Sequence, residues 1–160
     1  MFRTTVALAL ALLVVPSISE SATAQTTEAT RAAVQSFVKA FVDAANKADI
    51  STVMEMYSRK AEVTSVGDGE INRGWDAIRK DADEVVGKEG SYKISIGSID
   101  VIPLGPSYVL AVAPLMVTVA TGDTAVQLPA AMTLVLEKSG SKWTILHDHM
   151  STKGADQTGD

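Results

Sequence analysis

Apolar residues fall at Val34, Phe37, Val38, Phe41, Val42 and Ala45. That spacing puts them on one stripe of a helix, so Thr26 to Ala48 is expected to be helical and to lay the stripe on a core. Thr26 or Thr27 can cap its start, and Glu28 suits the positive end of its dipole. Asn46-Lys47-Ala48-Asp49 breaks the period. Asp49 then fits as the N-cap of a short second helix with Ile50, Val53, Met54 and Tyr57 on one side. Ala61 to Val66 reads as a short strand ended by Gly67-Asp68-Gly69. A third helix is expected to open at Asn72 or Arg73, to bury Trp75, Ile78, Ala82 and Val85, and to stop at Gly87.

After Gly90 the period changes to two. Tyr92, Ile94 and Ile96 alternate with polar residues, but Ile99 and Val101 sit on the opposite parity. The shift at Gly97-Ser98 predicts a bulge that bends the strand. Tyr108 to Ala120 and Ala125 to Glu137 are long strands, apolar on both parities, joined by a hairpin at Thr121-Gly122-Asp123-Thr124. Pro114 and Pro129 cannot donate to a ladder, so each marks an edge, a bulge or a bend. A turn at Ser139-Gly140-Ser141 leads into the last strand, Lys142 to Ser151, which holds both histidines. Uninterrupted alternation there puts Trp143, Ile145, His147, His149 and Ser151 on one face. Thr144, Leu146, Asp148 and Met150 take the other. Three helices followed by a strongly curved antiparallel sheet define an α+β fold with the helices on the concave face. The double-sided apolar strands call for a second cover on the convex face, and a second copy of the chain supplies it as a homodimer.

Residues 1–24 stand apart from this pattern. Met1-Phe2-Arg3 is a short positive start, Val6 to Val15 is unbroken and apolar, and Ala22-Thr23-Ala24 offers a small-x-small cleavage site. This is the build of a secretory signal peptide, which makes the expected product a secreted or periplasmic domain over residues 25–152 with a polar, disordered tail at 153–160. The apolar run is short for a membrane anchor, and no other stretch reaches spanning length. No cysteine is present, so disulfides and thiolate metal sites are excluded. The formal net charge is −5 with no basic run, which leaves no electrostatic footprint for nucleic acid. No glycine-rich phosphate loop opens a helix, and no cofactor is expected.

Three stretches in this order carry a family resemblance across roughly Thr27 to Ser151. They are Ala48-Asp49-Ile50 leading to Met56-Tyr57 and Ala61-Glu62-Val63, then Arg73-Gly74-Trp75-Asp76-Ala77-Ile78-Arg79, then Trp143-x-Ile145-x-His147-x-His149-x-Ser151. The chain resembles the nuclear transport factor 2-like superfamily, the cone-shaped fold shared by ketosteroid isomerase, SnoaL-type polyketide cyclases and a kinase association domain. The resemblance implies a cone-shaped α+β barrel with its pocket inside. It implies a lining of Phe37, Phe41, Tyr57, Trp75, Met132, Leu134, Leu146, Asp148 and Met150, with the histidines facing outward.

The same overlay argues against ketosteroid isomerase chemistry. The base falls at Ser65, the tyrosine at Phe41 and the acid around Met132 to Leu134, so all three groups are replaced. Two functions from different classes remain. One is an exported binder of a small hydrophobic molecule. The other is an enzyme of the cyclase, isomerase or dehydratase kind using Asp148 with Tyr57 or His149 as acid and base. With no second catalytic group evident, the preferred reading of Asp148 is a structural acid hydrogen-bonded to Tyr57 or to a helix-end amide. His147 and His149 could reach one metal ion but lack an evident third ligand, so no metal site is expected.

Overall fold

The computed structural model describes residues 19–67, 69–85, 92–121 and 124–153. Helix α1 spans Ser19–Asn46, α2 Ile50–Glu55 and α3 Trp75–Val85. The strands are β1 Thr64–Gly67, β2 Glu70–Arg73, β3 Tyr92–Ile96, β4 Asp100–Pro103, β5 Tyr108–Thr121, β6 Thr124–Ser139 and β7 Lys142–Thr152. They form one sheet in the order β2-β1-β7-β6-β5-β3, with β4 also paired to β5. The α+β architecture with helices against a curved sheet is the expected one. One ladder departs from it: β1 runs parallel to β7, so the sheet is mixed.

The helices follow their sequence signals. Val34, Val38 and Val42 of α1 are buried, with Phe37 and Phe41 half-buried beside them. Two polar side chains tie this helix to the sheet. Asn46 donates to Ile94 O (2.9 Å) and accepts from Ile94 N (2.7 Å), as a strand neighbour would, and Gln35 donates to Ile99 O (3.0 Å). Asp49 caps α2, accepting from the Thr52 backbone N–H at 3.1 Å and the Thr52 hydroxyl at 2.7 Å. The start of α1 lies earlier than Thr26, because a packed helix extends cheaply over a few more residues once nucleated. The leader up to residue 18, the Gly87 stop and the tail beyond Lys153 lie outside the described residues.

The third helix opens later than expected. Asn72 and Arg73 belong to β2, which folds back on β1, and Gly74 (φ 82°) makes the turn into α3. At the predicted bend, Ile96 pairs with Leu115 and Asp100 with Val112, so three residues oppose two. The extra residue carries Ile99 and Val101 to the buried face, with Ile94 and Ile96. Gly97 sits against Pro114 there, and a Cβ at Gly97 would come within 2.9 Å of the proline ring.

Inside the curve, Val109, Ala111, Ala113, Leu115 and Val117 of β5 face Met132, Leu134 and Leu136 of β6, all buried. Outside it, Ile102, Leu110, Val135 and His147 fall in one row across four strands. Ile102 is 48% exposed, and Leu110 and Val135 are half-buried.

Candidate functional site

The last strand does not alternate without interruption. Leu136 pairs with Ile145 and Val135 with His147, which leaves Leu146 as an extra residue on β7. A bulge of this kind moves every later side chain to the other face. Trp143 and Ile145 therefore point to the same side as Asp148 and Met150, the side of Leu134 and Met132. The expectation that Trp143 and Ile145 share the histidine face is overturned. Leu146, half-buried, is the inserted residue and stands outside both alternations.

The lower half of β7 also fixes Tyr57. Tyr57 bridges Ile145 in parallel, with Ser58 N–H donating to Ile145 O and Ile145 N–H donating to Met56 O, each at 2.8 Å. This pins the residue just past α2, and its ring meets Phe41 edge-on, centroids 6.0 Å apart. Its hydroxyl then reaches the upper half of the strand and donates to Asp148 Oδ1 at 3.0 Å. Ser65 lies directly beside Asp148 in the parallel β1–β7 register and donates to Oδ2 at 3.2 Å.

Asp148 keeps some contact with solvent although protein surrounds it on most sides. Burial pushes its carboxyl up to about 6, more than the Ser65 and Tyr57 hydrogen bonds lower it, and the charge of Asp81 adds to the rise. Burial, and then the charge of Asp148, holds the Tyr57 hydroxyl well above its ordinary value. Paired and perturbed are thus not alternatives here. Two donors attend the carboxylate, and desolvation still outweighs them.

Apart from Leu146, the other expected lining residues belong to the core or pack on it. Met132 and Leu134 are in the core, and Phe37, Phe41, Trp75 and Met150 pack on it while remaining half-exposed. Trp75 is already engaged: its indole N–H donates to Met54 O at 3.1 Å, and the Arg59 guanidinium lies 3.5 Å from its ring centre. His149 is exposed on the opposite face, level with Thr133 and Val66. His147 bonds Thr64 Oγ1 through Nδ1 at 2.8 Å, and burial, then His149, lowers its pKa. Among the described residues no group of three or more His, Asp or Glu is arranged to hold a metal ion. None of their helices is long and apolar enough to cross a membrane.

Two members of the site escaped the sequence reading. Ser65 was seen only as a missing base, since its pairing with Asp148 depends on a parallel register that no local pattern encodes. Asp81 sits on α3, where a charged residue at a half-buried position looks like any helix surface.

No curated protein matches the chain. Solved structures match in fold. A proposed dehydratase of the nuclear transport factor 2-like family from Streptomyces avermitilis is 13% identical, with 80% of this chain and 99% of that one covered at a TM-score of 0.71. A proposed scytalone dehydratase from Novosphingobium aromaticivorans is 8% identical, with coverage of 82% and 89% and a TM-score of 0.72. A third, a nuclear transport factor 2-like protein with a cystatin-like fold from Novosphingobium aromaticivorans, is 12% identical over 86% and 91% at 0.70. The SnoaL-like domain model matches residues 34–153. With three quarters of its length matched, the chain belongs to the SnoaL-like family of the nuclear transport factor 2-like superfamily.

Proposed function

We propose that this is an exported SnoaL-like protein that binds a small hydrophobic molecule in the interior of its cone. The observation that carries the reading is a polar cluster, Asp148 with Tyr57 and Ser65, beside a core that includes Met132 and Leu134 and on which Phe37, Phe41 and Met150 pack. Small-molecule sites have this composition: apolar area supplies affinity, and one or two polar groups fix orientation. Native mass spectrometry of protein purified from its own source tests the reading. A retained apolar ligand, lost from Met150→Arg, is the expected result, and an empty native protein that takes up no apolar probe would refute it.

A second reading has its own support. A carboxyl held near 6 with a tyrosine hydroxyl on one oxygen is suited to proton transfer near neutral pH. Two structural neighbours are described as proposed dehydratases. In this reading Asp148 and Tyr57 act as acid and base of a cyclase, isomerase or dehydratase. His149 takes no part, because it faces away. Turnover of an enolisable or hydroxylated substrate that disappears in Asp148→Asn would favour it.

The export and assembly expected from sequence complete the proposal. Cleavage after Ala24 gives a mature chain starting at Gln25, which intact mass of the exported protein checks. Two copies meet through the convex rows around Leu110, Val112, Thr133 and Val135, a face half-buried within one chain. A clean monomer in sedimentation at micromolar concentration would refute the dimer.

A further inference from the structure

His147 and His149 follow the bulge without a further break, so both imidazoles rise from the outer face of β7. Two residues along a strand is about 7 Å, close enough for both rings to close on one ion. The parallel register sets Thr64 beside His147, and its Oγ1 lies 2.8 Å from Nδ1. In the tautomer that donates the Nδ1 proton to this hydroxyl, the ring is held by one nitrogen and Nε2 keeps a free lone pair, the arrangement of metal-ligating histidines. Burial, then the charge of His149, lowers the His147 pKa, which favours the neutral ring a metal requires. The flanking positions offer no carboxylate: Val135 and Thr133 lie on β6, and Val66 lies beside His149 on β1. Glu137, two positions along β6 from Val135, is held by Lys60 and Tyr108. One chain thus presents two nitrogen ligands, and a stable site takes at least three.

From this we infer that His147 and His149 are half of a divalent transition-metal site, which the same two residues of a second copy complete. The inference deepens the two-copy assembly proposed above and rests on it. At the level of the histidines the strands cross the face in the order β2-β1-β7-β6-β5-β4, and the middle falls between β7 and β6. A two-fold axis through that middle sets β7 of each copy across from β6 of the other, so the histidines of both copies adjoin the axis. Packed sheets stand about 10 Å apart, a gap that two imidazoles bridge through one ion. The same axis lays the Arg73 end of one copy over the Asp100 end of the other. These are opposite charges at opposite edges of the face, and neither has an ion-pair partner among the described residues. That self-complementarity favours a second copy as the occupant. Four imidazoles suit zinc, copper or nickel, whereas calcium and magnesium take oxygen ligands.

The test titrates zinc by calorimetry into untagged protein stripped with a chelator, near neutral pH, with sedimentation run in zinc and in chelator. The expected result is one zinc per two chains, with a dimer at least about tenfold tighter in zinc than in chelator. His149→Ala, at an exposed position, should weaken zinc binding by more than about tenfold, and Thr64→Val by about tenfold through the freed ring. The stoichiometry on the unaltered chain needs no variant to fold. One zinc per chain, or binding unchanged in His149→Ala, overturns the shared site. A dimer that takes up no zinc also overturns it while leaving the two-copy assembly intact. A monomer in zinc and in chelator alike overturns both.

Discussion

The two halves of β7, on either side of Leu146, point the same way and do different work. Below the bulge, Trp143 and Ile145 are 7% and 0% exposed, and Ile145 holds the chain at Tyr57 by two backbone hydrogen bonds. Above it, Asp148 and Met150 are only half-buried. One half closes a core and the other presents a carboxyl group. A single inserted residue lets both use the concave side while the histidines stay outside. The lower half spends its burial on stability, so the upper half can hold a poorly solvated acid.

The sharpest way to break this contrast is to damage the lower half. Ile145→Ala should cost about 2–5 kcal/mol through the cavity it leaves, read as a lowered denaturation midpoint. The cost in the upper half should be smaller and should depend on pH. Asp148 carries a proton more tightly in the folded chain, at about 6 against an ordinary 3.8. Its stabilising contribution is therefore complete below about pH 4 and is lost as pH rises through about 6. On the order of 1–3 kcal/mol should disappear across that window, less for whatever solvent the group retains. Asp148→Asn should lack this component, so the variant gains on the wild type between about pH 4 and pH 7. Parallel melting curves for the two chains across that range would contradict the assignment.

Tyr57→Phe is a smaller step. It removes one of two donors and should cost about 1–2 kcal/mol while moving the Asp148 titration further up, as carboxyl carbon shifts would report. Smallest is Thr64→Val on the opposite face. Loss of the contact to His147 Nδ1 should change stability by about 1 kcal/mol or less and leave the Asp148 titration where it was. A moved Asp148 titration in that variant would mean that the faces of the strand are coupled.

Much of this was legible before the structure. The stripe on α1, the Asp49 cap and the bend at Gly97-Ser98 each have a local signal, and the bend was visible because polar residues expose a change of parity. The bulge at Leu146 was not, since apolar residues occupy both parities from Trp143 to Met150 and either reading looks continuous. β2 was missed because Glu70-Ile71-Asn72-Arg73 has one apolar residue, itself 51% exposed, and resembles a polar loop. Asp148 and its link to Tyr57 could be named from sequence. The Ser65 partner could not, because neither residue's neighbours record that the first strand will lie alongside the last.

That parallel pairing has a consequence for how the protein is made. Tyr57 and Asp148 are 91 residues apart in the chain, and Ser65 and Asp148 are 83 apart. Helices and the β5–β6 hairpin can form from local contacts on short timescales, whereas closing so long a loop is slow and meets its entropy cost before any contact rewards it. The Asp148–Tyr57–Ser65 cluster therefore forms only when the final strand docks against β1. A nascent or truncated chain that lacks the residues after Leu146 could collapse around most of its core and still have no site. The hydrogen bonds to Asp148 should then form in the last and slowest phase of folding.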